Sequence, residues 1–420
     1  MTGAVLRYDL AVVGAGPAGA AAAVTAARAG LSVALIDKAA FPRDKCCGDG
    51  LTTLALRELE ALGFDPTSVP SWQPVTSARL RAPSGRSAEL ALPVDEGVHC
   101  VVARRRELDA ALVAMAGDAG ANLHTASAVV RARRLLSGVE LGLADDTSLR
   151  ATHAIAADGA WSPMRKLLDL GPASYRGDIH ALRQYLRTGG STPEGDPAAG
   201  SAGSAVLEIF FEPDLLPGYA WAFPLADGTV NAGYGVLRGG TTRLNTLAAR
   251  WPELLARPHV AACLPRSTAD GPVRTWPIPA RLGGVPLGDG NVLFVGDAAA
   301  ATDALTGEGI GQALWTGRRA AEAVATHAGR RAPEALHRYR SDVTRGLAAD
   351  HRFARQLGSL LASRPIAEVA LAAAGCNNWT RTNFARWLFE AYPRALLATP
   401  RRWGRGAMAE AGAFAGEARR

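Results

Sequence analysis

The feature that most constrains this chain is a glycine-rich turn that joins a short apolar strand to an alanine-rich helix near the N-terminus. In YDLAVVGAGPAGAAAAVTAARAGLSVALIDK, residues 10–13 predict a buried strand and residues 17–29 predict a helix. Gly14, Gly16 and Gly19 form the pattern G-x-G-x-x-G. Such glycines permit a tight turn, a close approach of backbone to a pyrophosphate and close packing of helix on strand. The stretch therefore predicts a dinucleotide site with phosphate at the helix N-terminus.

A second predicted strand, residues 32–36, supports this site because it ends in an acidic residue. Asp37 follows Gly14 by 23 residues, and a carboxylate near that spacing usually binds a ribose hydroxyl of the dinucleotide. The neighbouring Ala18 and Lys38 are expected to contact the same ligand. Strand, helix, second strand and terminal acid agree, so the sequence favours a dinucleotide site over an ordinary Gly-rich turn.

Two later segments bear on the choice between NAD and FAD. ATHAIAADGAWSPMRK predicts a strand ending at Asp158, and NVLFVGDAAAATDALTGEGIGQALWTGRRAAEAV predicts a strand ending at Gly296 and Asp297. A nicotinamide domain is normally continuous, whereas this late return resembles FAD enzymes of the glutathione-reductase type. The resemblance implies that Asp297 contacts the ribityl chain of FAD, the alternative being an ordinary helix N-cap. A helix beginning near Gly309 would then direct its positive end at the flavin and stabilise negative charge there.

Three segments together resemble one family. FPRDKCCGDGLT, PGYAWAFP and GDAAAATDALTGEGIGQAL, in this order, are similar to motifs of the geranylgeranyl reductase family of FAD-dependent oxidoreductases. That family belongs to a fold group shared with aromatic hydroxylases and flavin halogenases, and the resemblance extends to about residue 330. It implies reduction of carbon–carbon double bonds in isoprenoid chains of lipids or quinones, or in antibiotic pathways. Ala304 departs from the family pattern because it replaces the usual proline, which frees the backbone before Gly307 and Gly309.

The same resemblance implies which residues face the cofactor. FPRDKCCGDGLT matches the family loop F-P-R-x-K-x-C-G-x-G-L, in which Cys47 is the family cysteine and Cys46 stands where proline is common. Cys47 would lie near the isoalloxazine, and the alternative is a small apolar residue that fills a tight loop. Arg105 has the family's place four residues before an acidic residue. The implied cofactor contacts are Arg43, Lys45, Cys47, Gly48, Gly50, Arg105, Asp158, Gly307, Gly309 and Ile310.

The middle of the chain predicts an antiparallel sheet. Residues 72–98 alternate around Ser84 and Gly85, and residues 178–237 contain further alternating runs separated by Asp-Gly turns. Tyr219 and Trp221 fall on one face of a predicted strand, where they would line an apolar channel and act with Cys47 in catalysis. Their alternative role is to pack in the core of the sheet.

Composition excludes several functional classes. The charge balance of +7 comes with only three lysines, and the abundance of Arg, Ala and Gly is typical of a GC-rich bacterial genome rather than of nucleic-acid binding. Five scattered cysteines form neither a disulfide framework nor a metal motif. No uncharged apolar run reaches ~18 residues, so the sequence predicts a cytoplasmic protein. The aromatic- and Arg-rich stretch from Trp379 onward is compatible with a helix at a membrane surface or with helices that cap the substrate pocket.

These observations predict an α/β protein with three parts. Residues 1–71, 99–177 and 283–331 are predicted to form a discontinuous Rossmann-like FAD-binding domain of the glutathione-reductase type. Residues 72–98 and 178–282 would form an antiparallel substrate-binding sheet, and residues 332–420 a helical C-terminal region. The predicted activity is an FAD-dependent reduction of a double bond in a hydrophobic substrate. The alternative is an FAD-dependent monooxygenase or halogenase. The electron donor stays open among NADPH, ferredoxin and another reductase.

Overall fold

The computed structural model describes residues 5–93, 97–171, 175–189, 205–239, 246–327, 332–389 and 412–415. Within these residues the strands are β1 (Leu6–Val13), β2 (Val33–Ile36), β3 (Gly50–Thr52), β4 (Gln73–Arg81), β5 (Ser87–Ala91), β6 (Cys100–Val102), β7 (Asn122–His124), β8 (Val129–Leu135), β9 (Gly138–Leu143), β10 (Ser148–Ala156), β11 (Ile179–Arg187), β12 (Ala205–Phe210), β13 (Ala220–Pro224), β14 (Thr229–Leu237), β15 (Thr268–Ala269), β16 (Arg274–Ile278), β17 (Gly288–Asp289) and β18 (Val292–Phe294). The helices are α1 (Pro17–Arg28), α2 (Thr53–Ala61), α3 (Arg105–Asp118), α4 (Pro163–Leu167), α5 (Leu247–Leu255), α6 (Pro258–Cys263), α7 (Ile310–Thr326), α8 (Ala332–Gly346), α9 (Ala348–Leu361), α10 (Arg364–Ala374) and α11 (Asn378–Phe389).

The first sheet carries the glycine-rich turn. Its order is β17-β18-β10-β1-β2-β7, and the strands from β18 to β7 run parallel. All four residues of β2 and the last four of β1 are buried, as expected for a parallel sheet covered on both faces. The predicted late return of the chain is confirmed, because β18 pairs with β10 beside β1.

Helices α1 and α7 cross at very close range. A Cβ on Gly317 of α7 would lie 2.0 Å from the carbonyl oxygen of Ala18 in α1, and one on Gly296 would lie 3.1 Å from the Ala18 side chain. Only glycine permits this approach. The crossing fixes the two helix N-termini relative to one another, and both border the same cavity.

The second sheet has the order β15-β11-β14-β13-β12-β4-β6-β3, with β16 on β11 and β5 on β4. Its pairs are antiparallel apart from β4 with β12. The predicted strands within residues 72–98 and 178–237 are confirmed. The sequence did not predict β3 and β6, since three-residue strands are too short to show a period. These two strands join the Cys46–Gly50 loop directly to the second sheet.

Helices α8–α11 confirm the predicted helical character of residues 332–389. Residues 390–411 of the aromatic- and Arg-rich stretch lie outside the described residues. Among the residues that are described, no single helix is long and apolar enough to span a membrane. The pair α9 and α10 passes that test jointly by length and composition, with a bend of 114° between them.

Candidate active site

One cavity of about 1150 Å³ runs between the two sheets. It exceeds the ~300–1,000 Å³ of most small-molecule pockets. Two glycines predicted to bind cofactor, Gly19 and Gly296, lie instead at the close helix contacts. The other predicted site residues all line this cavity: Gly14, Gly16, Ala18, Asp37, Lys38, Arg43, Lys45, Cys47, Gly48, Gly50, Arg105, Asp158, Tyr219, Trp221, Asp297, Gly307, Gly309 and Ile310.

The glycine-rich turn has no room for side chains at two positions. Gly14 has φ +101°, and a Cβ there would lie 2.3 Å from the carbonyl oxygen of Ala157. A Cβ on Gly19 would lie 1.7 Å from the carbonyl oxygen of Gly14. Gly16 differs, since its open side faces the Arg43 guanidinium at 3.6 Å. The turn therefore leaves a concave surface beside a cation, as a pyrophosphate requires.

Asp37 both lines the cavity and fastens the turn. Its carboxylate accepts hydrogen bonds from the backbone amides of Ala15 at 2.7 Å and Ala39 at 2.8 Å. This holds the acid at the end of β2, beside the glycine-rich turn. That is the position from which a carboxylate reaches a ribose.

Two helix N-termini fit the phosphate and flavin portions of FAD. Helix α1 has no side-chain cap and no acidic residue in its first turn, so its amides and partial positive charge are available to an anionic group in the cavity. At α7 the Glu308 carboxylate, just before the helix, accepts a hydrogen bond from the Gly311 amide at 2.7 Å, so only the remaining first-turn amides are available there. Asp297 lies between them, with the Thr302 hydroxyl 3.2 Å from its carboxylate. The glycine-rich turn (the glycine cradle), an acid at the ribose position, the uncapped start of α1 and the start of α7 together suit an extended dinucleotide.

Asp158 is a buried carboxylate at the edge of the cavity. It accepts hydrogen bonds from the Ser162 hydroxyl and the Met164 amide, each at 2.7 Å. Burial raises its pKa to about 6, and those two hydrogen bonds only partly offset the rise. Asp158 thus orders the start of α4.

The Cys46–Gly50 loop packs against the aromatic strand β13. A Cβ on Gly48 would lie 3.6 Å from the Trp221 ring, and one on Gly50 would lie 3.6 Å from the Phe223 ring. Asn231 links the two parts, because its amide donates to the Cys47 carbonyl oxygen at 2.8 Å and accepts from the Trp221 indole at 3.0 Å. The loop and the aromatic wall are therefore held as one unit.

Tyr219 closes this wall toward α7. Its hydroxyl donates to the carbonyl oxygen of Thr306, in the loop that precedes the helix. The rings of Tyr219, Trp221 and Phe223 follow one another with centroid distances of 6.1 Å and 6.2 Å. Beyond them the cavity continues between the second sheet and α9–α11, where apolar side chains line it: Leu80, Leu207, Ile209, Leu357, Leu361, Leu371, Phe384, Trp387 and Leu388.

Arg105 is tied down by a buried ion pair. Its Nε and Nη2 donate to the two oxygens of Asp109 at 2.7 Å and 2.8 Å, and Arg43 lies 3.0 Å from the same carboxylate. The Arg105 side chain also reaches Cys47, whose thiol pKa is nevertheless raised by burial. Cys47 is therefore a neutral thiol at physiological pH, and Asp109 is the shared anchor of two cavity-lining arginines.

Asp49 was missed by the sequence analysis, although it lies inside the quoted loop. It is fully buried with φ +63°, and the Tyr185 hydroxyl donates to its carboxylate at 2.5 Å. Burial raises its pKa to about 6, an effect that the Tyr185 hydrogen bond and the Arg183 charge partly offset. Nothing in the local pattern shows this burial, since Tyr185 is 136 residues away in the chain.

We expect Asp49→Asn to change the pH dependence of stability. A carboxyl group whose pKa is raised by folding binds its proton more tightly in the folded state, so its contribution is lost as pH rises from about 4 to 6. The variant lacks this loss, and its stability relative to the parent should rise by up to about 3 kcal/mol between pH 4 and pH 7. Urea unfolding at both pH values measures the difference.

Asp65→Asn is the matched control. The pKa of Asp65 is lowered by hydrogen bonds from Thr67, so the stabilising effect of its carboxylate is lost as pH falls. The stability of Asp65→Asn relative to the parent should therefore fall, rather than rise, as pH increases. An Asp49→Asn difference that does not vary with pH would contradict the prediction.

Comparisons with known proteins agree with this geometry. Residues 7–184 match the FAD binding domain family model. The menaquinone reductase of Mycobacterium tuberculosis is 38% identical over 331 residues, which cover 75% of this chain and 76% of that protein. Digeranylgeranylglycerophospholipid reductase 1 of Methanopyrus kandleri is 33% identical over 332 residues, covering 76% of this chain and 80% of that protein.

Solved structures show the same fold. A geranylgeranyl bacteriochlorophyll reductase-like protein from Thermoplasma acidophilum superposes with a TM-score of 0.77 at 22% identity, covering 94% of this chain and 99% of that one. The flavin-dependent halogenase CmlS gives a TM-score of 0.67 at 21% identity, covering 83% of this chain and 64% of that one.

The fold and the glycine-rich turn that borders the cavity thus define this chain as an FAD-dependent oxidoreductase. More narrowly, the chain belongs to the geranylgeranyl reductase family, as its motifs predicted.

Proposed function

We propose that the protein is a reductase that delivers hydride from reduced FAD to a carbon–carbon double bond of an isoprenoid chain or unsaturated natural product. The observation that carries this proposal is the continuity of one cavity. The glycine cradle and the aromatic, apolar branch are two parts of the same space, so a hydrophobic chain in the branch would reach the cofactor directly. The names of the two relatives, which specify a menaquinone and a digeranylgeranylglycerophospholipid, support this substrate class.

The proposed cofactor site comprises the cavity residues predicted from the sequence. Gly14, Gly16 and the start of α1 would hold the pyrophosphate, and Asp37 would bind the ribose. Asp297 and the start of α7 would contact the ribityl chain and the flavin. FAD, when bound and reduced, supplies the hydride for the reaction.

Cys47, Tyr219 and Trp221 are the proposed catalytic set, because they lie where cradle and apolar branch meet. Trp221 is fixed by Asn231 and Tyr219 by Thr306, so both rings would orient a flat alkene and exclude water. Cys47, a half-buried neutral thiol, would present a small apolar surface to the reacting atoms. These roles require no ionised nucleophile, which suits a hydride transfer between stacked groups.

The finer architecture is proposed on the same basis. The FAD-binding domain would be of the glutathione-reductase type, with the discontinuous boundaries predicted from the sequence, and the second sheet would form the substrate domain. The helical region would cap the substrate, because Phe384, Trp387 and Leu388 of α11 line the apolar branch. The electron donor would be NADPH or a reduced carrier such as ferredoxin.

The test is the mass of the product. Dithionite-reduced holoenzyme, kept without oxygen, should convert a menaquinone or a geranylgeranyl lipid into a product that has gained two hydrogen atoms and no oxygen. Enzyme stripped of FAD should give no product, and restoring FAD should restore it. Mass spectrometry of parallel anaerobic and aerobic reactions separates the alternatives. A product heavier by one oxygen or one halogen, formed only in air, would establish the monooxygenase or halogenase alternative instead.

A further inference from the structure

Lys45 places a positively charged group in the cavity. It is one of only three lysines in the chain, with Lys38 and Lys166. Its Nζ lies 3.4 Å from the centroid of the Trp276 ring, and the side chain lines the cavity. Within the described residues, no hydrogen bond or ion pair to its ammonium group is found. Trp276 therefore fixes the position of the ammonium by a cation–π contact and leaves its hydrogen-bond donors available to a group in the cavity.

The nearest acid in sequence is occupied by other cations. The Asp44 carboxylate lies 2.7 Å from Arg183 and 2.8 Å from Arg274, one on each oxygen. Arg183 also donates to the backbone carbonyl oxygen of Lys45 at 3.1 Å, which holds the loop in place. Asp44 is thus not the counterion of Lys45. The backbone of the loop is held in place, and the Lys45 side chain extends from it into the cavity.

The ammonium lies toward the α7 end of the cavity. Trp276 is in β16, and Ile278 is two residues further along, on the same face of that strand. The side chain of Ile278 approaches the open side of Gly307 to 3.9 Å, in the loop that leads into α7. Lys38, by contrast, follows Asp37 at the ribose position. The two cavity lysines therefore serve opposite ends of the cofactor.

Lys45 keeps its charge under physiological conditions. Burial lowers its pKa to about 8, while the negative charge of Asp297 acts to raise it and the positive charge of Arg105 to lower it further. The thiols of Cys46 and Cys47 face it from its own loop, and burial raises the pKa of both. At neutral pH the ammonium is consequently the charged form, next to uncharged thiols.

We propose that Lys45 is a redox-tuning residue, the fixed cation that compensates the negative charge which two-electron reduction places on FAD. The inference rests on the proposed cofactor and flavin position, and it goes further by assigning the reduction potential to one side chain. A buried cation in surroundings of low polarity interacts strongly with charge that develops nearby. Reduced FAD is thereby favoured over oxidised FAD, which eases loading of the enzyme by a weak electron donor.

The test is the reduction potential of the bound flavin, measured by anaerobic dye equilibration. In Lys45→Gln the ratio of reduced to oxidised FAD at a given potential should fall at least tenfold, a shift of about 30 mV for a two-electron couple. Lys45→Arg keeps the charge and should stay within threefold of the parent. Lys38→Gln removes the same charge at the other end of the cavity, and its potential should also stay within threefold.

FAD content and affinity are measured on the same samples. Lys45 is itself a proposed cofactor contact, so Lys45→Gln is allowed a weaker affinity for FAD, and the proposal requires that the potential of the FAD still bound is lowered. Weaker FAD binding with an unchanged potential would overturn it and would make Lys45 a phosphate ligand.

Trp276→Leu removes the ring that holds the ammonium and provides a second variant should Lys45→Gln not fold. It should shift the ratio at least threefold in the same direction, and an unchanged potential would also overturn the proposal. If the parent holds FAD but reduces no alkene, while Lys45→Gln shows the expected shift in potential, the proposed function fails and the role of Lys45 stands.

Discussion

A Gly19→Ala variant should be purified without its yellow colour and with a large loss of stability. The new Cβ would lie 1.7 Å from the carbonyl oxygen of Gly14. Because the position of a Cβ is fixed by the backbone, no rotamer change can relieve this contact. Either α1 or the glycine-rich turn must move, and both border the cofactor cavity. Overpacking of this kind costs about 3 kcal/mol or more. The visible absorbance of flavin per protein and urea unfolding measure the two effects.

Gly358→Ala is the matched control for this steric argument. Gly358 lies within α9, and a Cβ there would meet nothing within 4 Å. Because alanine favours helix more than glycine does, the control should be neutral or stabilised by up to about 1 kcal/mol. If Gly19→Ala bound FAD normally, the close contact of α1 with the turn would not be what shapes the cradle.

Arg105→Met should be the second strongly damaging substitution. It removes the bidentate partner of Asp109, whose side chain is fully buried, and leaves only Arg43 against that charge. Removing one member of a buried ion pair costs about 3–5 kcal/mol, and the remaining Arg43 contact places the expected loss near 3 kcal/mol. Because Arg43 would then turn toward Asp109, the cation next to Gly16 should shift and FAD retention should fall. Urea unfolding and flavin content are the measurements.

Two controls make this prediction specific. Arg133→Met breaks an ion pair with Glu140 in which the arginine side chain is 66% exposed, and it should cost no more than about 1 kcal/mol. The double variant Arg105→Met/Asp109→Leu removes the stranded charge and should recover part of the lost stability. A double variant that is less stable than Arg105→Met would contradict the prediction. It would show that Asp109 stabilises the fold even without Arg105.

The cofactor cradle was predictable because its constraints are local in sequence. Gly19 is required by a contact with the turn just before it, Gly14 is favoured by the positive φ of that turn, and Asp37 ends the strand that directly follows the helix. The late Gly-Asp element was identifiable for the same reason, since a strand and its following turn carry their own pattern. Each of these signals lies within about 35 consecutive residues.

The polar links between loop and sheet were not predictable, because they join distant residues. Asn231 connects Cys47 to Trp221 across 184 residues, and Asp49 meets Tyr185 across 136. A lone Asn on a strand and an Asp in a turn have no local feature that indicates burial. The packing role of Gly19 was predicted from its place in the pattern, but the sequence could not show that Gly296 packs against Ala18 while its neighbour Asp297 lines the cavity.

The pairing of β18 with β10 has a consequence for synthesis of the protein. The ribosome finishes β10 at Ala156 but does not begin β18 until Val292. At about 5–20 residues per second, β10 waits roughly 7–27 seconds for this neighbour. During that time strands β11–β16 of the second sheet emerge, while one edge of the first sheet stays partly unpaired and α7 does not yet exist. Flavin loading is therefore a late event on the nascent chain, and a message truncated before α7 would yield a product with an open sheet edge that is prone to aggregate.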